Sequence, residues 1–190
     1  MLFSDRASKH KLLKAGRRER ENLLEMLIGD FRRAFPELTF ELQLDFKIIN
    51  AQSLNLQGKR IVTIYGGLAL HPRLAADSLT LILLHEVGHH LADGCRLVRN
   101  PSLACECASD HWAVTTGMDT LLQKSGRRLW IADALEELDQ IMSPRQQRLG
   151  RYTKTTSTSG CWARGWSSRN RALFVKARSP TTKGCCINYV

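Results

Sequence analysis

The chain has 190 residues, 43% of them hydrophobic, enough for one buried core with at most an appendage. No stretch approaches the ~18–20 uninterrupted apolar residues of a membrane span, and MLFSDRASKHKLLKAGRRERE lacks the apolar h-region of a cleaved secretory leader; we therefore expect no transmembrane segment and a cytoplasmic location. The net charge of +10 is local: ten of the 28 Lys and Arg residues, and none of the 18 Asp and Glu residues, fall in Pro144–Val190, so residues 1–143 are neutral on balance.

The apolar stripe Leu12, Leu13, Leu23, Leu24, Leu27, Ile28, Phe31 and Phe35 predicts a helix over 8–35, stopped by Pro36. LTFELQLDFKI, 38–48, alternates apolar and polar residues and predicts a strand with one buried face. SLNLQ, 53–57, reads as a second strand that turns at Gly58-Lys59 into a third, RIVTIYGG, 60–67.

After His71-Pro72 the pattern becomes helical. AADSLTLILLHEVGHHLADG has an N-cap candidate at Asp77 or Ser78 and ends at Gly94. Asn100 as cap, Pro101 in the first turn and Gly117 at the end predict another helix. A last helix spans about 128–142, and Trp112 and Trp130 fall at helix-packing positions. The Ser/Thr/Gly/Arg-rich remainder, 144–190, reads as a weakly ordered basic tail. The expected fold is α+β: an N-terminal helix, a small twisted sheet of about three strands, then helices.

The chemistry concentrates in HEVGH, 85–89. His85 and His89 are four apart, so a helix places both imidazoles on one face, where they reach a single tetrahedral metal ion. Glu86 lies beside that face, placed to contact a water rather than to ligate, and Gly88 leaves room for a neighbouring element to approach. Burying two imidazoles and a carboxylate at the end of so apolar a helix costs several kcal/mol unless they are paired or metal-bound. A third ligand is expected from Glu106, 17 residues beyond His89; His90 faces elsewhere. Asp110, one turn after Glu106, can accept a hydrogen bond from a ligand histidine and fix its tautomer.

H-E-x-x-H followed by E-x-x-x-D resembles the gluzincin zinc metallopeptidases. The segments IVTIYGGL, ADSLTLILLHEVGHH and ECASDHWA, within about 61–117, resemble most the CAAX-protease/HtpX-like group, and the short length is similar to minimal gluzincins. The resemblance implies a minimal zincin-like domain over 1–143 holding one Zn2+ per chain through His85, His89 and Glu106, with Glu86 as general base and acid. It implies a protein or peptide substrate, and it resembles that group also in a strand at 61–65 serving as the edge on which an extended peptide aligns. The HtpX-like group usually carries membrane helices, which this sequence lacks. Past His111 there is no histidine to steady an oxyanion; His71, Arg151 and Tyr152 are the candidates, and none is assigned.

Six cysteines, at 95, 105, 107, 161, 185 and 186, are expected to be reduced core thiols, with a Cys95–Cys105 bridge as the alternative in an oxidising compartment. The tail's cations, interleaved with Tyr152, Trp162, Trp166 and Phe174, suit nucleic acid or an anionic surface. The alternative function is therefore a nucleic-acid-associated protein with a structural or regulatory zinc domain and a basic binding tail.

Overall fold

Helix α1, Arg17–Ala34, turns Leu24, Leu27, Ile28 and Phe31 onto one buried face, and Phe35 continues that face past its end. The computed structural model describes residues 16–98 and 100–141; the first part of the predicted helix and the tail at 144–190 lie outside these. Buried Arg20 crosses from α1 to the segment before the long helix, donating from Nε to the Ala69 carbonyl at 2.8 Å and from Nη2 to that of Leu74 at 2.6 Å. Such charge-assisted bonds to carbonyls offset the desolvation of the guanidinium.

Strand β1, Thr39–Gln43, is shorter than its alternation predicts. Its partner in the sheet ends at Tyr65, opposite Gln43, and among the described residues no strand lies beyond for Leu44–Ile48 to pair with. The chain instead turns, the Phe46 N–H donating to the Gln43 carbonyl at 3.2 Å, and Phe46 and Ile48 stay exposed. The turn rests directly on Gly66 and Gly67: a Cβ at Gly66 would stand 2.0 Å from the Leu44 carbonyl oxygen.

Strands β2, Ala51–Leu56, and β3, Lys59–Tyr65, form an antiparallel hairpin. Its turn is Gln57-Gly58, one residue earlier than expected, with φ of 52° and 83°, the left-handed pair that matches strand twist. β1 joins β3 in parallel, so the sheet order is β1-β3-β2. This corrects the expectation that the strand at 61–65 is an edge: β3 is central, and β2 is the edge strand packed against the long helix.

A short helix α2, Gly66–Ala69, leads to α3, Ala76–Leu91, in which every residue from Ser78 to His90 is buried. Neither Asp77 nor Ser78 caps it. The N-cap is Ala75, whose N–H donates at 2.7 Å to the Glu137 carboxylate on helix α6, Ile131–Ile141.

After α3 the structure departs from the predicted helix at Asn100. Strands β4, Arg96–Leu97, and β5, Asn100–Ala104, form a small antiparallel pair, and helix α4 starts only at Glu106, running to Trp112. Pro101 suits an edge strand as well as a first helical turn. A disulfide joins Cys95 to Cys105 with Cα atoms 5.6 Å apart, and the Cys105 N–H donates to the Cys95 carbonyl at 2.8 Å, closing the pair. The core-thiol expectation is corrected at these two positions.

α4 continues through a π-helical turn, Ala113–Gly117, into α5, Met118–Ser125. Gly117 is not a stop but a packing position, since a Cβ there would lie 2.7 Å from the Trp112 ring. Gly126, at φ 75°, ends α5. Trp112 packs on Phe35 with ring centroids 5.8 Å apart, whereas Trp130, expected in the core, is 69% exposed. The fold is thus α+β, a helix, a three-stranded sheet and further helices around α3, and no described helix is long and apolar enough to cross a membrane.

Candidate metal centre

The last two turns of α3 present His85 and His89 on one face, with ring centroids 4.7 Å apart and planes at 83°. Both rings are tied at Nδ1. His85 Nδ1 lies 2.6 Å from Asp110 Oδ1, and both side chains are fully buried. His89 Nδ1 lies 2.7 Å from the Ala104 carbonyl oxygen and 3.0 Å from Ser109 Oγ. A carbonyl oxygen can only accept, so the His89 proton is on Nδ1; an ionised Asp110 imposes the same tautomer on a neutral His85. In the neutral rings Nε2 is then the nitrogen that could ligate a cation.

Those two Nε2 atoms face one carboxylate. Glu106 Oε2 lies 3.2 Å from His85 Nε2 and 3.7 Å from His89 Nε2, and the Glu106 side chain is 23% exposed, the most accessible of the set. Glu106 is the first residue of α4 and Asp110 follows one turn later, so a single short helix supplies both. Two carboxylates therefore stand near the imidazoles. Glu86 belongs to a buried group with His85 and His89 in which one ligand-type atom from each lies within 4.8 Å of the others. Glu106 is the one that both Nε2 atoms address.

The approach of α4 depends on Gly88. A Cβ there would stand 2.8 Å from the Ser109 carbonyl oxygen and 2.9 Å from its Cα, so only glycine lets α3 and α4 come this close. The sequence expectation that Gly88 admits a neighbour holds, and the neighbour is the helix that brings Glu106 and Asp110.

The electrostatics follow from burial and pairing. Burial disfavours a charged His85, but Asp110 and Glu106 outweigh it and hold its pKa well above the usual histidine range. Burial would likewise raise Glu106, yet His85 and His89 draw it down to about 2. A divalent cation bound at these atoms would compete with the proton that the carboxylates favour on His85.

The other candidates fall elsewhere. His90 Nε2 donates to the Ile61 carbonyl at 3.1 Å and stitches α3 to β3. His71 is fully buried, its Nδ1 accepting from the Arg73 N–H at 3.3 Å within the segment before α3. Burial lowers the pKa of His111. Arg151 and Tyr152 lie outside the described residues.

Sequence reasoning missed three partners of the cluster: the Ala104 carbonyl, Ser109 and Ser53. A main-chain carbonyl leaves no trace in residue type. Ser53 on β2 donates to the Glu86 carbonyl oxygen at 2.6 Å or to Glu86 Oε2 at 2.7 Å. The pattern SLNLQ argued against it, because the leucines look like the inward residues; β2 buries Ala51 and Ser53 and leaves Leu56 exposed.

Comparison with family models, curated proteins and solved structures yields no match for this chain.

Proposed function

We propose that the chain is a zinc-dependent endopeptidase of gluzincin type, with a minimal zincin-like domain that hydrolyses peptide bonds in proteins or peptides. The observation that carries this reading is the convergence of His85 Nε2 and His89 Nε2 on Glu106 Oε2, at 3.2 and 3.7 Å, while both Nδ1 atoms are engaged by oxygen acceptors. The donor set fits zinc: two imidazole nitrogens and a carboxylate oxygen are ligands it accepts, and three protein ligands leave one tetrahedral position open. His85, His89 and Glu106 would hold the ion, one per chain.

Zinc held there supplies the Lewis acidity that makes water a nucleophile near neutral pH. Glu86, buried beside the two histidines, receives the water proton on its carboxylate and returns it to the leaving amine. Asp110 and the Ala104 carbonyl keep the two rings in the ligating tautomer and orientation. The test is zinc per chain, by elemental analysis, in the wild type and in Glu106→Ala, with casein hydrolysis followed in Glu86→Gln. We expect about one zinc in the wild type, clear loss in Glu106→Ala, and metal without turnover in Glu86→Gln. A folded wild type that takes up no zinc overturns the proposal.

A second reading, nucleic-acid association, is favoured by one observation, the ten cations and no acids of Pro144–Val190. Salt-dependent DNA binding that disappears when 144–190 is deleted would support it.

A further inference from the structure

Glu86 stands close enough to the histidines to be a ligand itself. One of its carboxylate oxygens, an imidazole nitrogen of His85 and one of His89 lie within 4.8 Å of one another. Zinc accepts a carboxylate oxygen alongside imidazole nitrogens. A carboxylate that binds the metal is a weaker base towards a water beside it, so Glu86 serves better as a base when it is held off the ion.

The contact in place to do so comes from the sheet. Ser53, on edge strand β2 and only 9% exposed, sets its hydroxyl 2.7 Å from Glu86 Oε2 and 2.6 Å from the Glu86 main-chain oxygen. Its one proton can go to either oxygen, so the hydroxyl is a donor within reach of the Glu86 carboxylate on the side of its own main chain. Removing it would leave a carboxylate that is 97% buried short of a donor, a costly state that coordination to a cation relieves.

We propose that Ser53 is a positioning residue that keeps Glu86 out of the metal's coordination sphere, and so makes it a base instead of a fourth ligand. The inference rests on the metallopeptidase reading. Ser53 touches neither substrate nor metal in this role; it acts through Glu86.

The experiment uses the full chain loaded with Co2+, whose visible absorption reports ligand number and geometry. In Ser53→Ala we expect Co2+ to remain bound, the visible band to change as Glu86 enters the coordination sphere, and casein hydrolysis to fall about 10–100-fold. Ser53→Thr, which keeps a hydroxyl, should restore both the spectrum and turnover. In Ser53→Ala/Glu86→Gln the spectrum should return to that of Glu86→Gln alone. Should Ser53→Ala fail to fold, Ser53→Thr against its isostere Ser53→Val makes the same comparison. A wild-type spectrum in Co2+-loaded Ser53→Ala overturns the inference, even if casein is not a substrate, because the spectrum decides without turnover. A folded wild type that binds neither zinc nor Co2+ overturns the metallopeptidase reading and this inference with it, and is told apart by elemental analysis alone.

Discussion

Asp110 Oδ1 sits 2.6 Å from His85 Nδ1 with both side chains wholly buried, joining α4 to α3 through one charge-assisted hydrogen bond. Asp110→Ala removes the acceptor that selects the His85 tautomer. Zinc affinity should fall about 10–100-fold, as is usual when the outer partner of a ligand histidine is lost. Competition with a chromophoric chelator measures it. Unchanged affinity would reduce Asp110 to a packing role.

Metal uptake should be coupled to protons. In the metal-free fold His85 is raised well above its ordinary value, so its contribution to stability is complete below the unfolded histidine pKa and is lost as pH rises through the raised one. Glu106, depressed to about 2, contributes above the unfolded carboxylate pKa and loses that contribution as pH falls towards about 2. Zinc must displace the His85 proton, so affinity should climb with pH across neutrality. Calorimetric titration in two buffers of different ionisation enthalpy should show proton release at pH 7; identical heats would contradict it.

Gly88→Ala sets two effects against each other. Alanine favours a helix by about 1 kcal/mol over glycine. Here, however, its methyl would meet Ser109 backbone atoms at 2.8 and 2.9 Å, and backbone cannot swing aside. Overpacking of this kind costs about 1–3 kcal/mol, so we expect net destabilisation, seen in denaturant melts, together with weaker zinc binding as α4 is pushed from α3.

The Cys95–Cys105 disulfide, separated by 10 residues, closes the β4–β5 pair that ends at Ala104, the carbonyl holding His89. A loop of this size restricts the unfolded chain by about 3 kcal/mol. Reduction, or Cys95→Ser with Cys105→Ser, should lower the denaturation midpoint correspondingly and weaken zinc binding. A reduced protein with unaltered metal affinity would mean that β5 holds its place without the crosslink.

Local periodicity carried much of the fold. The stripe Leu24, Leu27, Ile28, Phe31 marked α1, and the apolar run ending in HEVGH marked α3, because helix face and burial are both set by spacing along one chain. Periodicity said less about where pairing stops: LTFELQLDFKI alternates past Gln43, but a ladder needs a partner, and β3 ends at Tyr65. The same limit hid β4 and β5, since Asn100-Pro101 suits a cap or an edge strand equally and the strand forms by pairing with β4.

Spacing alone puts His85 and His89 on one helix face with Glu86 beside them, because four residues make about one turn whatever surrounds it. It also offered Glu106 and Asp110 as a second pair spaced one turn apart. That the two pairs meet, through the Gly88 contact with Ser109, and that Glu106 faces both Nε2 atoms is visible in the folded chain and not in the spacing. The same holds for β2 at the sheet edge and Ser53 turned inward onto Glu86. Spacing fixes which residues of one element share a face, while the meeting of two elements depends on close packing between residues far apart in the chain, and that no local pattern records.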